Sequence, residues 1–430
     1  MYSEKTTVLR AFAAMMLAVL AGSARADELA ADWPQWRGPQ RTGVAPAEPA
    51  WPESLGEDAL VETWRVPLGP SYSGPIVVGE RVFTTETRDQ QVERVVALDR
   101  RTGEPLWEAS WEGAVTVPVF AAANGSWIRA TPASDGERLY VAGMRDVLVC
   151  LDAASGDELW RADFVERYGA DVPAFGFVSS PLVDDGSVYV QAAESVVKLG
   201  KLTGESLWRS AIESGEMNSA FSSPVMAELA GRRQLVVQTR KALKGLDPDD
   251  GAELWSQPIE AFHDMNILTP TVVGPDRVFT SAHTGRSQLW RLAAAESGYQ
   301  VAQAWAEKSQ AYMSSPVVID GHVYMHLKNQ RFGCLELATG EEKWRTRPYG
   351  RYWSMAVQGD MILALDETGE LLLVKATPDR FELLDSRRLD VSETWAHVAV
   401  CGGQAFVRSL NALIAFQWKP LEEARGGSED

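Results

Sequence analysis

From about residue 61 onward, apolar and polar positions alternate in short bursts cut by glycine-bearing turns. Ser73–Glu86 (SGPIVVGERVFTTE), Ala130–Gly143 (ATPASDGERLYVAG), Ser179–Ala192 (SSPLVDDGSVYVQA) and Ser314–Leu327 (SSPVVIDGHVYMHL) share one layout. A short apolar strand runs into a tight glycine turn, and an alternating Val/Tyr strand follows, which is the pattern of an antiparallel hairpin. No long helical periodicity interrupts the rhythm. The pattern predicts an all-β chain.

A second pattern closes each unit. ALDRRTGEPLW (Ala97–Trp107) returns as CLDAASGDELW (Cys150–Trp160), KLGKLTGESLW (Lys198–Trp208), GLDPDDGAELW (Gly245–Trp255) and CLELATGEEKW (Cys334–Trp344). Asp99 falls at a strand end, where its carboxylate can accept hydrogen bonds from turn N–H groups. Gly103 supplies a positive φ at no steric cost. Trp107 is then free to wedge against the next unit, because a large flat ring suits a contact between two sheets. Asp152, Gly156 and Trp160 repeat these roles, as do Asp247, Gly251 and Trp255. Gly204 and Trp208, with Gly200 in place of the acid, and Gly340 and Trp344, with Glu336, vary them. Trp107, Trp160, Trp208, Trp255, Trp305 and Trp344 are 53, 48, 47, 50 and 39 residues apart. That is the size of a four-stranded propeller blade.

Eight units start near Tyr72, Ile128, Phe177, Ala220, Ile267, Tyr312, Tyr352 and Thr394. The fifth lengthens its turn (Arg291–Trp305), and the seventh lacks the tryptophan. The eighth stops after three strands at Ala412–Trp418. Val61–Gly69 (VETWRVPLG) resembles a fourth strand but has no three strands before it. It is therefore expected to complete the last blade and close an eight-bladed β-propeller over residues 61–419, removing exposed edges.

The flanking segments are different in kind. Residues 1–26 combine Lys5 and Arg10, the apolar run Ala11–Ala21 and the small-x-small site Ala24-Arg25-Ala26, which reads as a signal peptide. Residues 27–60, with DWPQWRGPQRTG (Asp32–Gly43), are expected to form an extended strap across one face, as a plug or a partner-recognition segment. Residues 420–430 read as a disordered polar tail.

The formal net charge of −18 argues against nucleic-acid or anionic-membrane binding, since both are polyanions. No later stretch reads as transmembrane, so the expectation is a soluble protein exported to the periplasm or beyond, and monomeric. Cys150, Cys334 and Cys401 read as small buried hydrophobes. Asp247–Gly251 (DPDDG) coincides with the repeated turn, so a calcium loop is not needed to explain it. His322 and His326 on a strand stand ~13 Å apart, too far to share a metal. His263-Asp264 has no nucleophile pattern beside it.

The repeated motif, Ala-x-Asp-x-x-x-Gly-x-x-x-Trp, resembles the tryptophan-docking motif of the pyrroloquinoline quinone (PQQ) repeat propellers. Ala97, Asp99, Gly103 and Trp107 match it residue for residue. The resemblance covers about residues 61–419, and it implies two functional classes. Quinoprotein alcohol dehydrogenases hold PQQ and calcium in the channel. BamB-like propellers bind proteins during outer-membrane protein assembly. The dehydrogenase class implies an adjacent-cysteine disulfide and a Glu/Asn/Asp calcium set; this chain has no Cys-Cys pair, and no such set aligns. No cofactor is therefore expected, with PQQ and calcium as the alternative. BamB proteins are implied to be lipoproteins, whereas Ser23 stands where their anchoring cysteine would.

Function, on this reading, lies in residues that differ from blade to blade. Those preceding each innermost strand should ring one channel mouth: Tyr72, Trp127, Phe177, Phe221, Tyr312, Trp353 and Trp395, interspersed with Arg129, Asn218, His263, Asn266, Arg351 and His397. The aromatics could be loop core, a recognition face for a protein partner of the periplasm or cell envelope, or a small-molecule pocket. The leading expectation is a non-catalytic, BamB-like binding scaffold.

Overall fold

The computed structural model describes residues 32–215 and 218–419. The expected signal peptide, Ser23 and the tail at 420–430 lie outside the described residues. The described chain folds into eight four-stranded antiparallel sheets arranged as an eight-bladed β-propeller. The first blade shows the plan: strands Ile76–Val78, Arg81–Arg88, Val92–Asp99 and Pro105–Glu112, paired in sequence order. The last blade joins Ala399–Cys401, Gln404–Arg408 and Ala412–Trp418 to the N-terminal strand Leu60–Pro67. The register runs from Leu60 opposite Trp418 to Pro67 opposite Ala412, so the ring closes by backbone hydrogen bonding between chain ends.

Alternation explains why the sheets stack. The four strands pack apolar faces between blades; one core cluster joins Ile76, Phe83 and Val95 of the first blade to Leu139, Val141 and Val149 of the second. Cys150, Cys334 and Cys401 are buried, and none is joined in a disulfide. His326 is buried on its strand, stacked 5.3 Å from the Trp353 ring.

The eleven-residue motif is the joint between blades. Asp99 accepts the N–H groups of Arg101 (3.0 Å) and Thr102 (2.8 Å), and Asp152 those of Ala154 (2.8 Å) and Ser155 (2.9 Å). These bonds hold both carboxyls below their usual range, chiefly through the N–H of Thr102 for Asp99 and of Ser155 for Asp152. Each tryptophan then crosses to the next blade's turn. Trp107 donates its indole N–H to Ala153 O (3.1 Å), Trp160 to Lys201 O (3.1 Å) and Trp208 to Pro248 O (3.1 Å). Trp344 donates to Thr377 O at 2.8 Å, and Trp64 of the closing strand to Arg100 O at 2.9 Å. The ring face lies on the turn glycine: a Cβ on Gly103 would stand 2.8 Å from Trp64, and one on Gly340 2.8 Å from Trp305. Glycine is thus required both for its positive φ and for the space.

Trp255 corrects the expectation. The fifth blade extends its outer hairpin, Ser287–Ala294 and Tyr299–Glu307, past the point where the others turn. Trp290 occupies the register position held elsewhere by Leu98 or Leu246. Without a glycine turn to receive it, Trp255 donates instead to Gln234 Oε1 of its own blade at 2.7 Å. Asp247 and Gly251 keep their turn roles, with Gly251 N–H donating to Asp247 O at 2.9 Å.

Candidate functional site

The two ends of the ring are built from different residues. Asp99 pairs with Arg81, at the start of the second strand, so the docking turns lie at the end marked by Gly79. Tyr72 and its counterparts precede the innermost strands and lie at the other end, together with the turns between second and third strands. At that end a cavity of about 480 Å³ opens.

Its lower wall is a ladder of hydroxyls. Gly74 N–H donates to Thr131 Oγ1 (2.9 Å), Thr131 N–H to Ser180 Oγ (3.0 Å), Ser180 N–H to Ser223 Oγ (2.9 Å) and Ser223 N–H to Thr269 Oγ1 (3.0 Å). In the second to fifth blades the opening Ser or Thr thus satisfies a buried amide of the blade before it; at the seventh and eighth the direction reverses, with Trp353 N–H donating to Ser314 Oγ (3.0 Å) and Val398 N–H to Ser354 Oγ (3.2 Å), as buried backbone groups require.

Above the hydroxyls stand aromatic arcs. Tyr352 stacks on Trp395 (5.6 Å), Trp395 lies 5.9 Å from Tyr72, and Tyr72 meets Trp127 edge-on at 5.3 Å. Phe120, Phe175 and Phe221 form a second arc, with spacings of 6.0 and 5.5 Å. Phe262, His283 and Tyr312 form a third, at 5.7 and 4.6 Å. Arg129 lies 5.1 Å over the Tyr72 ring and Arg351 5.3 Å over Trp395, distances that allow cation–π attraction.

The base of the cavity comes from the strap. It enters at the docking-turn end, where Asp32 accepts the Gly79 N–H and Trp33 pairs with Val77. It then runs into the channel. Arg41, 3% exposed, donates to Pro224 O (2.8 Å), to Ser180 O (3.2 Å) and to Pro181 O. Arg37 donates to Pro316 O at 2.6 Å, and the chain leaves by pairing Val44 with Val357. Burial lowers Arg41 to about 9 and Arg37 to about 10, so both stay charged at neutral pH, bound to carbonyl dipoles rather than to carboxylates. Trp36, the residue before Arg37, sits edge-on to His397 at 5.3 Å and lines the cavity. The funnel is therefore blind.

Of the residues expected at this mouth, Tyr72, Arg129, Phe221, Tyr312, Arg351, Trp395 and His397 line the cavity. Trp127 packs behind Tyr72. Phe177 and Trp353 do not reach it: both are buried in blade cores, Phe177 against Phe164 and Trp353 against Phe332. Asn266 is buried, donating to Arg240 O and Ile259 O, and Asn218 to Asp171 O. His263 sits in a one-turn 3-10 segment with φ of 49°, beside Phe262, and does not line the cavity. The residues missed include Trp36, Phe175, Tyr352, Met265, Met313, Lys328 and Gln330. Tyr352 was legible as the neighbour of Trp353, because a one-residue offset turns a side chain to the other face, whereas Phe175 lies in a turn two residues before Phe177, where no alternation guides the reading.

The electrostatics are one-sided. Arg129, Lys328 and Arg351 line the funnel, and none of the lining side chains is Asp or Glu. Burial, then the Arg37 charge, lowers His397 to about 3, so it is neutral, and its Nδ1 has no hydrogen-bond partner. Burial also pushes Tyr72 up to about 12 and holds Arg129 below its ordinary value.

A closed eight-bladed ring with tryptophan-docked blades and a blind funnel defines an eight-bladed β-propeller of the PQQ-repeat kind. Residues 91–346 match the family described as "Outer membrane protein assembly factor BamB", and the chain belongs to that family. An outer membrane protein assembly factor BamB of Moranella endobia is 27% identical over 262 residues, 57% of this chain and 64% of that protein, so the match spans less than two thirds of the relative. The crystal structure of BamB from Moraxella catarrhalis superposes with a TM-score of 0.62 at 14% identity, over 84% of this chain and 98% of that one. The quinohemoprotein alcohol dehydrogenase of Comamonas testosteroni does so with a TM-score of 0.61 at 13% identity, over 90% and 80%. These two likenesses speak to the fold.

Proposed function

We propose that this chain is an exported, non-catalytic propeller that binds proteins of the cell envelope through its funnel face, as an assembly factor of the kind its family name describes. The observation that carries the reading is the division of the ring into two ends. All docking chemistry sits at one, and the other gathers aromatics and cations with no structural task in closing the ring. Aromatic and arginine side chains are the usual anchors of protein interfaces.

The alternative, a quinone-dependent dehydrogenase, asks for donors the funnel does not offer. Calcium takes six to eight oxygen ligands, carboxylates foremost. The lining has three cations and no acid, and no three His, Cys, Asp or Glu side chains come together as a metal site among the described residues. The quinone–calcium pair does not fit these residues.

The test is binding of the purified chain to an outer-membrane assembly complex stripped of its own BamB subunit. Saturable binding, weakened by Trp395→Ala, supports the scaffold. No binding, together with dye-linked alcohol oxidation after adding PQQ and Ca²⁺, would sink it.

A further inference from the structure

The funnel reverses the sign of the molecule around it. The chain carries a net charge of −18, yet the cavity is lined by Arg129, Lys328 and Arg351 and by no carboxylate. Arg351 is partly neutralised, with Glu367 at 3.4 Å and Glu393 at 3.8 Å. Arg129 and Lys328 have no carboxylate partner among the described residues. Arg129 is clamped by Gly125 O at 2.6 Å, and its Nε is buried without a hydrogen bond. His397, 7% exposed, brings an unpartnered Nδ1 to the same wall. Buried polar atoms without partners are uncommon and ask for an explanation. Arg129 leads into the second blade and Lys328 belongs to the sixth, so acidic groups entering the funnel would meet a cation on either wall, and guanidinium groups suit carboxylates through paired N–H donors.

The apolar surface does not stop at the cavity. Phe120 is 69% exposed, Val119 93%, Ile212 62% and Phe262 49%. None of these four lines the cavity, and all lie on connections that leave a fourth strand at the funnel end. A molecule small enough to fill about 480 Å³ would leave them in water. A chain passing over the rim would cover them. Exposed apolar residues gathered around a concave site mark macromolecular contact.

We infer that the funnel face captures an extended, acidic polypeptide segment, seating carboxylate side chains against Arg129 on one wall and Lys328 on the other while its flanking apolar residues lie on Phe120 and Phe262. This rests on the scaffold reading and names the chemistry of the partner. Specificity would come from the pit, where a lysine in place of the acid meets like charge, and much of the contact area from the rim.

Calorimetry with synthetic peptides tests it. Three equal-length peptides alternate Phe with Asp, Phe with Lys, and Ser with Asp. The Phe/Asp peptide should bind at least about tenfold more tightly than either of the others, and its affinity should fall as salt rises. Lys328→Gln, at an exposed position, should weaken it several-fold, as should Arg129→Gln. Phe120→Ser, also exposed, should weaken the peptide but leave phenylacetate unaffected. Equal binding of the Phe/Lys peptide overturns the inference. So does phenylacetate binding as tightly as the peptide with Phe120→Ser silent, which would make the funnel a small-molecule pit. Peptide selectivity without binding to the assembly complex would sink the scaffold reading alone. Complex binding without peptide selectivity would sink this one alone.

Discussion

Replacing Gly156 by alanine tests the joint between blades directly. Gly156 has a φ of +80°, and a Cβ there would stand 2.5 Å from Cε3 and 2.7 Å from Cδ2 of Trp107. Two costs follow. The left-handed backbone costs an L-residue about 1–2 kcal/mol. Overpacking against a ring already held by its bond to Ala153 O adds about 1–3 kcal/mol. The sum is about 2–5 kcal/mol. Two other glycines separate the terms. Gly231 has the same φ of +80° but nothing within 4 Å of a Cβ, so Gly231→Ala should cost only the backbone share. Gly186 also has open space and no positive φ, so Gly186→Ala should be neutral or slightly stabilising, through a less flexible unfolded chain. Urea midpoints at constant slope give the three values. The expected order of destabilisation is Gly156 above Gly231 above Gly186. In a Trp107→Ala background the extra cost at Gly156 should vanish, leaving a coupling energy of about 1–3 kcal/mol. The reasoning is refuted if Gly156→Ala costs no more than Gly231→Ala, or if removing Trp107 leaves its cost unchanged.

Arg41→Met should destabilise the fold by about 2–4 kcal/mol, because it strips the carbonyls of Ser180, Pro181 and Pro224 of a charged donor. Arg41→Lys should not restore it, since one ammonium cannot serve the spread of acceptors a guanidinium reaches; limited proteolysis should then cut within the strap. Glu93 gives a pH dependence. It is fully buried, accepting from Met144 N–H (2.7 Å) and Trp111 Nε1–H (2.8 Å), and burial raises its carboxyl to about 7. The native state therefore holds this proton over a range where the unfolded chain has lost it. Stability from this group is full below about pH 4.5 and falls as pH rises through 7. Unfolding midpoints should decline over that window, and Glu93→Ala should flatten the decline; an unchanged slope in the variant would refute the assignment.

The ring was legible because its determinants are local. A strand, a turn glycine and a following tryptophan lie within eleven residues, and the joint they make recurs. Even the closure could be read, because Val61–Gly69 had the pattern of a fourth strand and lacked three before it. The funnel was legible only in part. Tyr72, Arg129 and Trp395 were found by their place before a strand, but Trp353 begins its strand and turns into the blade core, leaving Tyr352 to face the channel. The strap was read as an extended plug or recognition segment across one face, but not as a segment that runs into the channel. Arg37 and Arg41 are fixed by backbone carbonyls of other blades, and a carbonyl has no sequence signature. Nothing local says that Trp36 closes the base of a cavity whose walls run from Tyr72 to His397 along the chain.

That strap decides how far stability and recognition can vary independently. Docking turns and funnel occupy opposite ends of the ring, so changes in Phe120, Lys328 or Trp395 leave the tryptophan joints untouched, and changes at the joints leave the funnel's charge intact. The fifth blade shows the tolerance of this plan: its turn is rebuilt, and Gln234 takes the Trp255 N–H that a neighbouring turn would have taken. The strap alone belongs to both ends. Asp32 and Trp33 hold it at the docking end, Arg41 ties the third and fourth blades, and Trp36 stands against His397 inside the funnel. An Arg41 variant should therefore lose stability and peptide affinity together, whereas Lys328→Gln should lose affinity alone. Independent loss of the two in Arg41→Met would mean that the base of the funnel is set by the blades and not by the segment that threads them.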